Sequence, residues 1–146
     1  MNTKKKKKII TWSVVGTLVV LTFIFNLFFS IAFVVGDSMY PTYHDGQLLL
    51  TTRHYTIERF DVVTISKGEF LIKRVIGMPN ETIAYKDNVL YINGEQVDDP
   101  YNTVTEDFEV TLGDNEYFCM GDNREDSWDS RKYGAFSADK IITEVM

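Results

Sequence analysis

From Ile9 to Val35 the chain runs 27 residues without an Asp, Glu, Lys, Arg, His or Pro, and the five residues before that run, Lys4 to Lys8, are all lysine. As a helix the run reaches about 40 Å, against about 30 Å for the hydrocarbon core of a bilayer, so it spans with some tilt. The lysines stay on the cytoplasmic side by the charge rule for membrane segments. A cleaved leader has an apolar part of only about 7 to 15 residues and a small-x-small site after it, and neither is found here. The expected division is therefore a basic cytoplasmic tail at 1–8, a transmembrane helix at 9–35, and an extracytoplasmic domain at 36–146, held at the plasma membrane by a single pass.

Of the 15 Lys and Arg, five sit in the tail, which leaves 10 against all 21 Asp and Glu in the rest, a net charge of about −11 outside. Nucleic acid is not expected as a partner, because phosphate binding needs clustered Lys and Arg. The single cysteine, Cys119, has no intramolecular partner and lies in an apolar strand pattern, as a buried small hydrophobe would. His44 and His54 lack the companions of a metal site, and neither metal nor cofactor is expected.

Beyond Thr42 the pattern is one of short strands and tight turns. Strands are predicted at 47–52, 61–66 and 69–77, with Lys67 and Gly68 turning the second into the third. A second hairpin is predicted from ETIAY through a turn at 86–88 to VLYING. Two further strands, 108–112 and 116–120, are joined by Gly113, Asp114 and Asn115, and residues 98–107 form a surface excursion. Ser137 to Met146 is predicted as a short helix capped by Ser137. The fold class is thus mostly β: one amino-terminal transmembrane helix followed by a single antiparallel β-rich domain.

Within FLIKRVI the strand period separates Leu71, Lys73 and Val75 from Phe70, Ile72, Arg74 and Ile76, so both basic residues interrupt apolar rows. On one reading the strand lies at an edge and Lys73 extends its stem to water. On the other Lys73 is desolvated, which disfavours the ammonium and makes the amine a usable general base. A serine within about 3 Å would complete a nucleophile and base pair without histidine. Ser38, in GDSMYPT just past the apolar run, is either a turn residue or that nucleophile, with Gly36 and Pro41 shaping the backbone around it. The segment GDNREDSWDSRKYG, 121–134, is either a solvated loop or a rigid support. In the second case Asp129 pairs with Arg131, and the Ser127 hydroxyl orients the lysine nitrogen without adding a charge.

Taken in order behind one anchor, GDSMYPT, RFDVVTI, FLIKRVIGMP and YFCMGDNREDSWDSRKYG resemble the bacterial type I signal peptidases of the serine-lysine kind, over essentially the whole chain. The resemblance implies a membrane-bound serine endopeptidase that removes signal peptides from exported preproteins after small residues on the outer side of the membrane. It places the nucleophile at Ser38 and the general base at Lys73, with Ser127, Asp129 and Arg131 as supports. It puts Gly36, Asp37, Met39 and Pro41 around the substrate cleft and the oxyanion. Partners implied are signal peptides and the lipid bilayer. Gly36 stands where some members carry a serine hydroxyl, so any second oxyanion donor is backbone or water. MPNE replaces the family's usual glycine and aspartate after the lysine strand, and no large second domain follows, which matches the compact Gram-positive kind.

Three other readings compete. A Ser-His-Asp triad from Ser38, His44 and Asp45 has the composition, but adjacent His and Asp side chains diverge. SADK at Ser137 to Lys140 matches S-x-x-K, but neither S-D-N nor K-T-G accompanies it. A non-enzymatic accessory protein for secretion or pilus assembly would show a damaged dyad, whereas Ser38 and Lys73 are both present.

Overall fold

A computed structural model describes residues 3–101 and 104–146. Met1, Asn2 and two residues of the predicted 98–107 excursion, Asn102 and Thr103, fall outside the described residues. Helix α1, Thr3–Phe28, takes in both the lysines and most of the apolar run. Its part from Lys6 to Phe28 has a mean hydropathy of 2.0 and is not buried by the rest of the chain. At about 1.5 Å per residue those 23 residues reach about 35 Å, long enough to cross a membrane.

The helix does not continue to Val35 as the charge pattern suggests. Strand β1, Phe29–Phe33, replaces its last stretch and pairs antiparallel with β2, Leu48–Thr52. The Arg53 N–H donates to the Phe28 carbonyl at 2.9 Å, so the final helical turn is capped by the neighbouring strand. FSIAF is aromatic and β-branched enough for a strand, and once outside the lipid its backbone groups find partners in β2.

The remaining strands are β3 (Val62–Ser66), β4 (Phe70–Gly77), β5 (Thr82–Lys86), β6 (Val89–Ile92), β7 (Glu95–Val97), β8 (Phe108–Thr111) and β9 (Glu116–Met120). A four-residue helix α2 (Ser130–Tyr133), β10 (Phe136–Ser137) and β11 (Ile141–Val145) follow. They form a seven-stranded sheet in the order β1-β2-β11-β3-β4-β9-β10 and a four-stranded sheet in the order β7-β6-β5-β8. Both predicted hairpins form. Gly68 turns β3 into β4 at φ +82°, and Asp87 and Asn88 turn β5 into β6 with positive φ.

The two further predicted strands, β8 and β9, form and are joined through 113–115; β8 pairs with β5 and β9 with β4, so that link crosses between sheets. A second expectation is corrected: the carboxyl end is not a helix. After one 3-10 turn at Ala138–Lys140, to which the Ser137 side chain gives no cap, Ile141–Val145 becomes a strand between β2 and β3. Its alternation, with Ile141 and Thr143 buried, is that of a strand.

One face of β4 and β9 packs Ile76, Phe118 and Met120 against Ile83, Tyr85, Leu90 and Ile92 of the smaller sheet. The other face gathers Val63, Ile65, Val75 and Cys119 with Phe136 and Ile141. The larger sheet curls: β1 and the start of β4, with three strands between them, line the same cavities.

Candidate active site

Lys73 points from the middle of β4 into the face lined by Val63, Val75 and Cys119 and is only 3% exposed. The reading of an edge lysine reaching to water is thereby excluded. Burial pushes its ammonium below the ordinary lysine range. The nearby Asp129 and Asp122 carboxylates oppose that shift, and the Arg131 guanidinium assists it. Lys73 Nζ lies 2.7 Å from Ser38 Oγ, within hydrogen-bond distance, although 35 residues separate the two in the chain.

Ser38 is delivered by the turn that follows β1. Gly36 has φ +78°, a left-handed angle that glycine adopts without strain, and its N–H donates to Asp45 Oδ1 at 2.8 Å. Asp45 is thus committed to the turn backbone, and Lys73 rather than His44 is the partner of Ser38. The Tyr40–Pro41 peptide is cis, and the Met39 side chain beside Ser38 is buried. Among the described residues nothing accepts a hydrogen bond from the Ser38 N–H. A cavity of about 90 Å³ opens beside the pair, lined by Phe33, Val35, Ser38, Leu71, Ile72 and Lys73 among others.

The segment 121–134 is a support and not a solvated loop. Asn123 N–H donates to the Ser38 carbonyl at 3.0 Å, and Asn123 Nδ2 donates to the Asp37 carbonyl at 3.1 Å, which ties the nucleophile turn down from behind. Asp129 is fully buried. It accepts from Arg131 Nε and Nη2 at 2.9 and 2.8 Å and from the Gly121 N–H at 2.9 Å. Burial alone would raise its carboxyl, but these bonds outweigh it and hold the pKa below the usual value. The expected Asp129–Arg131 pairing is therefore present, and Asp129 also caps α2 through the Arg131 N–H.

Ser127 differs from its expected place. Its hydroxyl sits by Asp129 and contributes to keeping that group ionised, but it makes no hydrogen bond of ordinary geometry and none to Lys73. It packs against Gly121, where an added Cβ would stand 2.2 Å from Ser127 Oγ and 2.4 Å from the Ser38 carbonyl oxygen. A side chain at position 121 would therefore meet both the support and the nucleophile turn.

A second connection was not expected from the pattern. Arg74, the residue after Lys73, makes a two-pronged bond to Asp122, with Nε to Oδ1 at 2.8 Å and Nη2 to Oδ2 at 2.6 Å, and both side chains are buried. Asp122 also accepts from the Thr42 hydroxyl, so one carboxylate joins the lysine strand to the serine turn. Removing one partner of such a buried pair costs about 3–5 kcal/mol. A signal for it was present: an arginine in an apolar strand requires a carboxylate, and Asp122 directly follows the apolar YFCMG. Further out, Arg124 Nη2 meets Asp99 at 2.7 Å and Nη1 meets the Tyr85 hydroxyl at 2.9 Å, which anchors the excursion at 98–107 to the core. Among the described residues no three His, Cys, Asp or Glu side chains gather to hold a metal ion.

Comparison with known proteins identifies the family. The family model described as signal peptidase, peptidase S26, matches residues 7–146. The chain belongs to the S26 signal peptidases. Among relatives, signal peptidase I S of Bacillus subtilis is 37% identical, over 96% of this chain and 88% of its own length. Signal peptidase I V of the same organism is 43% identical, over 75% of this chain and 79% of its own. The crystal structure of a signal peptidase I from Enterococcus faecalis V583 superposes with a TM-score of 0.59 at 30% identity, covering 63% of this chain and 98% of that one. As an S26 signal peptidase the chain is a serine endopeptidase with a mostly β catalytic domain behind one apolar helix.

Proposed function

We propose that this signal peptidase cuts signal peptides from exported preproteins with Ser38 as nucleophile and Lys73 as general base. The observation that carries the assignment is the 2.7 Å approach of Lys73 Nζ to Ser38 Oγ inside an apolar wall. With the amine neutral, the serine O–H donates to Nζ. As Oγ attacks the scissile carbonyl, the proton passes to Lys73, and the Ser38 N–H is free to meet the oxyanion. Protonated Lys73 then gives the proton to the leaving amine, and the acyl-enzyme is hydrolysed by a water that the same nitrogen deprotonates. Gly36 has no hydroxyl to add, and its own N–H is committed to Asp45, so Ser38 carries the oxyanion from the protein side. Ser127, buried beside Asp129 and without a hydrogen bond of ordinary geometry, is assigned to hold Lys73 Nζ while Ser38 is bonded to substrate.

The small cavity beside the dyad accounts for a preference for small residues before the cut. Among the described residues, β4 before Arg74 has no strand on the side away from β3, and the outer edge of β1 is open, so an extended peptide can add between them. The lysine-rich end of α1 lies in the cytoplasm and the catalytic domain outside, which confines enzyme and signal peptide to one surface and raises their effective concentration.

The test is cleavage of a membrane-bound preprotein by the purified full chain and by Ser38→Ala and Lys73→Ala. Processing by the wild type with both variants slowed at least about 10³-fold is expected. Undiminished cleavage by either variant rules out its assigned role.

A further inference from the structure

The chain beyond the tail is strongly acidic, yet one open cavity on it, of about 460 Å³, is lined by two lysines and no carboxylate. Ser66, Lys67 and Gly68, at the turn from β3 to β4, form one side of it, and Tyr133 and Lys140 stand on the other. Lys67 makes no ion pair among the described residues; its Nζ lies 3.9 Å from the centre of the Tyr133 ring. Lys140 meets only its neighbour Asp139, at 3.4 Å and in the open, a contact that holds the ammonium weakly. The Ser66 hydroxyl makes no hydrogen bond among the described residues, so the wall offers two ammoniums and a hydroxyl to an anion.

The cavity's position says which anion. The Arg53 N–H, bonded to the Phe28 carbonyl, marks the level at which α1 ends. Arg53 and Ser30 share the rim of another cavity with Glu69 and Phe70, so the β3–β4 turn stands at the same end of the domain as the helix exit. That end faces the bilayer. Two large rings are bare beside the lysines: Phe70, just past the turn, is 76% exposed, and Trp128, its ring centre 6.1 Å from that of Tyr133, is 68% exposed. Aromatic rings at headgroup level with ammoniums on the phosphates are what a membrane interface stabilises.

We propose that this cavity is a site for the phosphate of an anionic phospholipid in the leaflet that the domain faces, held between Lys67 and Lys140, and that filling it lays Trp128 and Phe70 into the headgroup layer. The site does not depend on the dyad assignment above. A phosphate of net negative charge suits two ammoniums, each acting as a point charge. A choline headgroup brings its own ammonium to them, so anionic lipid is preferred to zwitterionic lipid. Inorganic phosphate offers the same oxygens but lacks the leaflet that would carry the rings with it.

The experiment uses the full chain carrying Trp12→Phe, which leaves Trp128 as its only tryptophan. The protein is placed in vesicles of phosphatidylcholine brominated high on the acyl chains, phosphatidylglycerol is added in steps, and quenching of Trp128 is followed. The lysines of the tail also attract anionic lipid, but Trp128 does not report on them. Quenching is expected to rise with phosphatidylglycerol and saturate. In Lys67→Gln/Lys140→Gln the half-point is expected at an anionic mole fraction at least about fivefold higher, while Lys132→Gln, which removes a lysine from a different cavity, stays within about twofold. No rise with phosphatidylglycerol, a double variant within about twofold of its parent, or an equal shift in Lys132→Gln overturns the proposal. Inorganic phosphate at the same total concentration, added to vesicles without phosphatidylglycerol, is expected to leave the emission unchanged; the full quenching with it overturns the lipid assignment. Because cleavage is not the readout, failure of the dyad reading leaves this result standing.

Discussion

Replacing Gly121 by alanine tests how tightly the support segment places the nucleophile. The added methyl would sit 2.4 Å from the Ser38 carbonyl oxygen and 2.2 Å from Ser127 Oγ. Rotation can move Ser127 Oγ but not its Cβ, which would stand 2.6 Å from the methyl, and the Ser38 carbonyl is backbone and is held at 3.0 Å by the Asn123 N–H. Restoring ordinary carbon–oxygen contact requires a displacement of about 1 Å, which the nucleophile turn must absorb. The Ser38–Lys73 separation starts at 2.7 Å, so a shift of that size away from the lysine takes the pair out of hydrogen-bond range. Misplacement by about 1 Å costs about 10²-fold in rate, and overpacking of this kind costs about 1–3 kcal/mol in stability. The assay is kcat on a saturating precursor, read beside a denaturant curve that confirms a folded protein. A folded Gly121→Ala variant with kcat within twofold of the wild type refutes the claim that this contact positions Ser38.

Asp129 and Arg131 act on Lys73 with opposite signs, and so should their removal. Arg131→Gln takes away a positive charge and leaves Asp129 unopposed, so the acid limb of the pH–rate profile moves to higher pH. Asp129→Asn moves it to lower pH, and shifts in the same direction contradict the electrostatic account. Stability carries a matching signature. Because the folded-state pKa of Lys73 is depressed, its burial penalty is full below that pKa and is relieved as pH rises toward the ordinary lysine value. Lys73→Met is therefore expected to raise thermal stability at neutral pH, with a gain that shrinks as the medium becomes alkaline; a gain independent of pH argues against a charged cost. Asp129 behaves in the opposite sense. Its folded pKa is depressed, so its stabilising bonds are intact above the ordinary carboxylate range and are lost as pH falls through and below it, which unfolding curves between neutral and acidic pH will follow.

Local patterns exposed what depends on neighbours in sequence. The turns at Gly68 and at Asp87–Asn88 announce their hairpins, and Lys73 stands out because a charge in an apolar strand is costly wherever it folds. Features joined over long separations were less legible. β11 reads as a short helical end until it is inserted between β2 and β3, whose paired residues lie 76 to 94 positions away. The link from β8 to β9 is local and legible, whereas their pairing with β5 and β4, in different sheets, is not. The apolar run to Val35 conceals β1, since hydrophobicity marks what enters lipid but not where the helix yields to a strand. At the site, Ser38 and Lys73 carry chemistry in their residue types. The roles of Gly121 and of the Thr42–Asp122–Arg74 connection arise only from approach in space, and the Ser127 hydroxyl lies beside Asp129 and makes no bond to Lys73.

The central claim is that burial beside Ser38 leaves the Lys73 amine neutral at a lower pH than lysine ordinarily requires. It can be read from the full chain with ¹³C-labelled lysine side chains, following each resonance with pH by NMR and assigning Lys73 by its loss in Lys73→Met. A titration midpoint well below the ordinary lysine value of 10.5 is the predicted result; a midpoint at or above that value contradicts the mechanism.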